Sequence, residues 1–233
     1  MRGRHRTSGS GKEIGLSHSE KAMGMLREHG MLRPGDLQSE GIPSSVVSRL
    51  IRRGKIRPVR SLDEILIGYM LQETEAPSLQ DDAIWEIPAR HPRAILCLQS
   101  ALRHHDLTDG YTSDFVAAVP PNVNRRSLIR GARLITWSNP DMFTVGIMKV
   151  ALTKGFEVRM TDVSRTLADL YRPEHGIPEA VREQAIGVVL SRHGDAALTK
   201  ASEHAAALGW LKHISGPLSA ARGAIKWSAT RKP

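Results

Sequence analysis

Residues 29–60 read HGMLRPGDLQSEGIPSSVVSRLIRRGKIRPVR, and the punctuation of this stretch decides the architecture of the first part of the chain. Gly30 ends a helical segment that Ser19 can cap, with Ala22, Met23 and Leu26 on one side. Met31-Leu32-Arg33-Pro34 restarts the chain. A brief helix runs through Leu37 to Glu40, and Gly41-Ile42-Pro43 is a compact turn. Ser44 is a suitable cap for a helix over 45–53, which Gly54 stops. At 100° per residue Val46, Val47, Leu50 and Ile51 fall on one arc of about 140°. Ser45, Ser48, Arg49, Arg52 and Arg53 fill the opposite arc. Lys55-Ile56-Arg57-Pro58-Val59-Arg60 then alternates basic and apolar, as a half-buried strand does.

One face of the 45–53 helix therefore packs on the preceding helices. The other presents three guanidinium groups and two hydroxyls, with no carboxylate among them. A helix lying in a DNA major groove needs such a face. Arginine offers a planar fork to guanine or phosphate, serine bonds phosphates or base edges, and a capped N-terminus points N–H groups at phosphate. Two short helices, a Gly-containing turn and this helix follow helix-turn-helix order, and the strand with Lys55, Arg57 and Arg60 suits a wing on the adjacent backbone. The candidate DNA-binding residues are Ser44, Ser45, Ser48, Arg49, Arg52, Arg53, Lys55, Arg57 and Arg60. Any surface helix puts charges outside, so the helix gains its meaning from the elements around it.

The whole chain supports an anionic partner. Its 233 residues carry 33 Lys and Arg against 24 Asp and Glu, a formal charge of +9. Double-stranded DNA is the first partner this suggests, and a membrane surface the second. Residues 1–70 hold 13 basic side chains against 7 acidic ones, whereas 71–90 hold 1 against 5. The acidic stretch, with Pro77 and Pro88, reads as a linker. The expected division is a flexible basic arm over 1–17 and a winged helix-turn-helix unit over 18–75. A linker over 76–91, a C-terminal unit over 92–226 and a tail over 227–233 complete it. No stretch approaches the ~20 apolar residues of a membrane span, and no apolar segment follows the basic N-terminus as in a secretory signal, so a cytoplasmic protein is expected.

The C-terminal part reads as mixed. Residues 92–105 have helical apolar spacing, and 115–119, 132–137, 145–148 and 156–160 are strand candidates. From Thr161 the pattern turns helical, through 177–192, 196–208 and 216–225. Strands followed by a run of helices make the fold class α+β. Enzyme signals are weak. The lone Cys97 lies in an apolar run and excludes an intramolecular disulfide or a cysteine zinc site. His104-His105-Asp106 are adjacent on a helix and point about 100° apart, which does not suit one ion. Ser10-Gly11-Lys12 lacks the rest of a phosphate loop, and Asp81-Asp82 are not a spaced carboxylate pair. Asp162, Arg165 and Asp169 sit at i, i+3 and i+7. They read as an ion-pair ladder at a helix start rather than the fringe of an active site. No catalytic residue, metal or cofactor is expected.

Three stretches carry a family resemblance: residues 29–60 quoted above, IPARHPRAILCLQSALRHHDLTD at 87–109, and VRMTDVSRTLADLYR at 158–172. Over about residues 18 to 210 the chain resembles the AbiE-type antitoxins of bacterial type IV toxin–antitoxin (abortive infection) systems. The resemblance implies a winged helix that represses its own promoter, and a C-terminal domain that counteracts a nucleotidyltransferase-type toxin. By position, Ser44, Ser45, Ser48, Arg49, Arg52 and Arg53 match the recognition helix, and Lys55, Arg57 and Arg60 the first wing strand. One departure is visible. The family follows the wing arginines directly with a Gly–aromatic return strand, whereas here residues 61–67 intervene before Gly68-Tyr69, implying a longer wing or a helix in its place. The rival readings are an orphan regulator, a protein-docking module, and an enzyme that processes nucleic acid in its C-terminal domain.

Overall fold

The computed structural model describes residues 16–61, 63–74, 82–109, 114–123, 129–153 and 156–229. Residues 1–15 of the expected arm, 75–81 before Asp82 and 230–233 of the tail lie outside these. The fold is α+β, with two sheets.

The chain enters through α1 (His18–His29), β1 (Met31–Leu32), α2 (Pro34–Ser39) and α3 (Ser44–Arg52). The cap of α1 is Ser17 rather than Ser19. Its hydroxyl accepts from the Glu20 amide at 3.2 Å while the Glu20 carboxylate accepts from the Ser17 amide at 2.9 Å. This reciprocal pair satisfies two N–H groups at once, which a serine two residues later has no glutamate to match. The start of α3 also shifts by one residue. Extended Pro43 precedes it, its carbonyl accepts from the Val46 and Val47 amides, and Ser44 is already helical. Then β2 (Ile56–Arg60) and β3 (Leu66–Leu71) form an antiparallel hairpin. With β1 they make a three-stranded sheet of order β1-β3-β2. Where β1 meets β3, a Cβ on Gly68 would lie 2.8 Å from the Leu32 carbonyl oxygen, so only glycine lets these strands approach so closely. Ala22, Leu26, Leu37, Ile42, Val46, Val47, Leu50 and Ile56 pack into one core beneath these elements.

The linker reading fails from Asp82 onward. Residues Asp82–Arg90 form a helix, α4, with Ala83, Trp85 and Ile87 buried. The acidic composition masked an apolar face that packs on both sides of the seam. Met31, Val59, Ile67 and Met70 share one apolar cluster with Trp85, Phe156, Val158 and Met160. Trp85 meets Phe156 with ring centroids 5.2 Å apart. The first and second parts of the chain thus share a core.

The single helix expected over 92–105 also differs. Ile95–Leu96 is a central strand, β4, and only Gln99–His104 is helical, as α5. The continuous apolar run Ala94 to Leu98 suits a strand covered on both faces, which spacing alone does not separate from a buried helix. Leu98, at φ 49°, turns the chain between them. Strands β5 (Phe115–Val119), β6 (Ala132–Thr136), β7 (Ile147–Thr153) and β8 (Phe156–Thr161) complete a mixed sheet of order β6-β5-β4-β8-β7. Helices α6 (Val163–Asp169), α7 (Glu179–Leu208) and α8 (Leu211–Ala229) follow, and their apolar faces build the other core with Ile95, Leu98, Leu102 and Trp137. The two helices expected over 177–208 run on as α7, but Gly194 at φ 71°, ψ −173° breaks the path where the spacing marks a boundary.

Candidate nucleic-acid interface

The two faces of α3 segregate as the wheel requires. Val46, Val47 and Leu50 are buried and Ile51 is half-buried, whereas Ser44, Ser45, Ser48, Arg49 and Arg52 are exposed, followed by exposed Arg53 and Lys55. The turn into α3 is held from α1, because Lys21 Nζ donates to the Glu40 carbonyl at 2.9 Å and pairs with its carboxylate at 2.8 Å. Buried Ile42 anchors the turn from below.

The cations differ in what already occupies them. Among the described residues Arg52, Arg53 and Lys55 make no ion pair or side-chain hydrogen bond, and Arg49 donates once, to the Ser19 hydroxyl at 3.1 Å. Arg57 is half-buried and donates to the Thr74 carbonyl at 2.5 Å. Arg60 folds back onto the Glu64 carbonyl at 2.8 Å. The structure therefore groups Ser44, Ser45, Ser48, Arg49, Arg52, Arg53 and Lys55 on one open surface and employs Arg57 and Arg60 within the hairpin.

The residues that intervene before Gly68 lengthen the hairpin. Leu66 and Ile67 belong to the return strand, with Arg60 opposite Leu66 after a register shift. The tip is closed by Ser61, whose amide donates to the Ile65 carbonyl and whose hydroxyl accepts from the Ile65 amide. Asp63 and Glu64 are its exposed ionisable side chains. Two exposed carboxylates thus make the hairpin tip acidic.

The expected ion-pair ladder holds only between Arg165 and Asp169, which are buried, while Asp162 stays part-exposed and pairs with Lys200 instead. Asp162 caps α6, accepting from the Arg165 amide at 2.7 Å. Arg165 and Asp169 are 0% exposed and paired at 2.9 Å. The Arg165 guanidinium also donates to the Val145 carbonyl and stands 4.9 Å and 5.6 Å from the Trp137 and Trp210 rings. A Cβ on Gly146 would fall 2.4 Å from the Arg165 Cβ, so a side chain there would expel it. Burial alone would raise the Asp162 carboxyl. His204, the Arg165 amide and Lys200 outweigh it and hold the group at about 2. Beneath the two tryptophans, Arg165 and Asp169 are closed off from solvent. Burial pushes the Cys97 thiol up, away from a nucleophilic thiolate. His105 Nε2 lies 2.8 Å from the Thr161 carbonyl, a bond in which the ring nitrogen donates. Among the described residues no group of three His, Cys, Asp or Glu side chains is placed to hold a metal ion, and no helix is long and apolar enough to cross a membrane.

No family model and no curated protein matches this chain. Among solved structures, the RV2827C protein from Mycobacterium tuberculosis is similar over 87% of this chain and 80% of that one, with a TM-score of 0.39 and 14% identity. A likeness at that level carries no argument about function.

Proposed function

We propose that this protein is a DNA-binding autorepressor and the antitoxin half of a type IV toxin–antitoxin pair, acting in the cytoplasm without catalysis of its own. In this reading α1 to α3 and the β2–β3 hairpin serve as a winged helix-turn-helix, and α3 is the recognition helix. The observation that carries the DNA half is the exposed surface of α3 and the turn after it. Four cations, Arg49, Arg52, Arg53 and Lys55, stand there without a carboxylate partner, beside three serine hydroxyls. A cluster of like charges left unpaired costs stability through self-repulsion, and a phosphate backbone relieves it. Helix positions Arg49 and Arg52 face base edges, and Arg53 and Lys55 the backbone. Arg57 and Arg60 shape the hairpin and act on DNA only through it. The antitoxin half rests on the family resemblance of residues 87–109 and 158–172 and names a nucleotidyltransferase-type toxin as its target.

Fluorescence anisotropy on the DNA upstream of the protein's own gene, against a scrambled duplex, tests the first half. Tight, sequence-selective binding that Arg49→Ala/Arg52→Ala removes is the expected result; equal weak binding to both duplexes refutes it. Co-expression with a neighbouring nucleotidyltransferase-type gene tests the second half, and growth inhibition that this protein fails to relieve refutes it.

A further inference from the structure

A cleft of about 610 Å³ opens along the seam between α2 and the second sheet. Its walls carry Arg33, Asp36 and Glu40 from one side and Lys149, Glu157 and Arg159 from the other. The size is that of sites for small organic ligands, which favour such junctions.

The carboxylates of this cleft are already engaged. Glu40 pairs with Lys21 at 2.8 Å, Glu157 with Lys149 at 3.2 Å, and Asp36 accepts from the Arg33 amide at 2.8 Å. The two guanidinium groups are not matched in this way. Arg33 lies 4.3 Å over the Phe156 ring and donates to the Glu157 carbonyl at 2.6 Å, and Arg159 donates to the Phe143 carbonyl, yet neither makes an ion pair. Two-residue β4 pairs with β8 only at Arg159 and Met160, so it does not reach Glu157, which has Ala151 of β7 as its strand partner on the other side. Arg33 has Asp36 and Glu157 near it but no ion pair with either, and each carboxylate of the cleft has another donor; two half-buried guanidinium groups without an ion pair in one cleft are complementary to an oxyanion.

We propose that this cleft binds a small organic oxyanion, a carboxylate or a phosphate ester, held between the Arg33 and Arg159 guanidinium groups. An occupant touches α2, which leads into α3, and β8 of the second sheet together. The site does not depend on the DNA reading, and failure to bind an operator leaves it standing.

The test is isothermal titration calorimetry of the full chain at constant ionic strength, with inorganic phosphate, citrate and adenosine monophosphate as probes. Saturable one-to-one binding of at least one probe is expected, weakened about tenfold or more by Arg159→Gln and by Arg33→Gln and unchanged by Arg130→Gln, an exposed arginine outside the cleft. Citrate alone would identify a carboxylate ligand; phosphate or the nucleotide would identify a phosphate ester. Amide chemical-shift changes in the unaltered protein, confined to residues near 33–40 and 157–159, locate the site without any variant. The proposal is overturned if none of the three saturates below about 10 mM. Undiminished binding in both variants, or shift changes placed elsewhere, also overturns it.

Discussion

On the proposed reading, the salt dependence of DNA binding follows from how many cations the protein holds clear of carboxylates. Arg49, Arg52, Arg53 and Lys55 are exposed and unmatched by carboxylates, whereas Arg57 and Arg60 are committed to carbonyls of their own hairpin. If Arg53 and Lys55 each meet one phosphate, log K falls with log salt at a slope of about −1.8. Between 50 and 200 mM salt, that slope lowers affinity about 12-fold. Removing Arg53 or Lys55 should flatten the slope by about 0.9 and weaken operator and scrambled duplex alike. Arg49→Ala or Arg52→Ala should instead keep the slope and cost about 1–3 kcal/mol on the operator alone, if each reads a guanine. Arg60→Ala should leave the slope unchanged. Anisotropy titrations at five salt concentrations measure all of this. A parent slope shallower than about −1, or an Arg60→Ala slope as flat as that of Lys55→Ala, would show that the wrong cations have been assigned.

Three further outcomes concern the scaffold. Asp169→Ala strands the wholly buried Arg165 charge and should cost about 3–5 kcal/mol in urea unfolding, while a paired Arg165→Met/Asp169→Leu replacement should recover most of the loss. Asp162 sits at about 2 in the folded protein against an ordinary 3.8, so its contribution, about 2 kcal/mol, is present above about pH 4 and lost as pH falls toward 2. Asp162→Asn should remove that acid sensitivity, read from urea midpoints at pH 6 and pH 3. Trp85→Ala opens the core shared by both sheets and should cost about 3–5 kcal/mol in a single transition seen equally by near- and far-ultraviolet circular dichroism. Two separated transitions would contradict a common core.

Local chemistry was legible wherever period and punctuation agree. Gly30, Pro43 and Gly54 bound α1 and α3 to within one or two residues, because a helix end is written in the few residues that form it, whereas α2 starts at Pro34, three residues before the expected helix. The strands Phe115–Val119, Ala132–Thr136 and Phe156–Thr161 stand where β-branched and apolar runs put them. That Ser45, Ser48, Arg49 and Arg52 turn to solvent was also legible, since the outward face of an amphipathic helix follows from its inward one. What failed had a common cause. The acidic composition around α4 outweighed Ala83, Trp85 and Ile87, and the run around β4 fits either helix or buried strand until its neighbours are known.

By itself, then, the sequence determined the α+β class, the helices on either side of the Gly41–Pro43 turn and the face that α3 turns to solvent, all properties of residues close along the chain. Tertiary structure alone decided which charges are free. Arg57 and Arg60 look as available as Lys55 in the sequence, but hairpin closure brings the Thr74 and Glu64 carbonyls to them. It also decided that Arg165 and Asp169 are sealed beneath Trp137 and Trp210, and that α4 joins the two sheets through one core. Those outcomes depend on groups many residues apart meeting in space, and no periodicity encodes such a meeting.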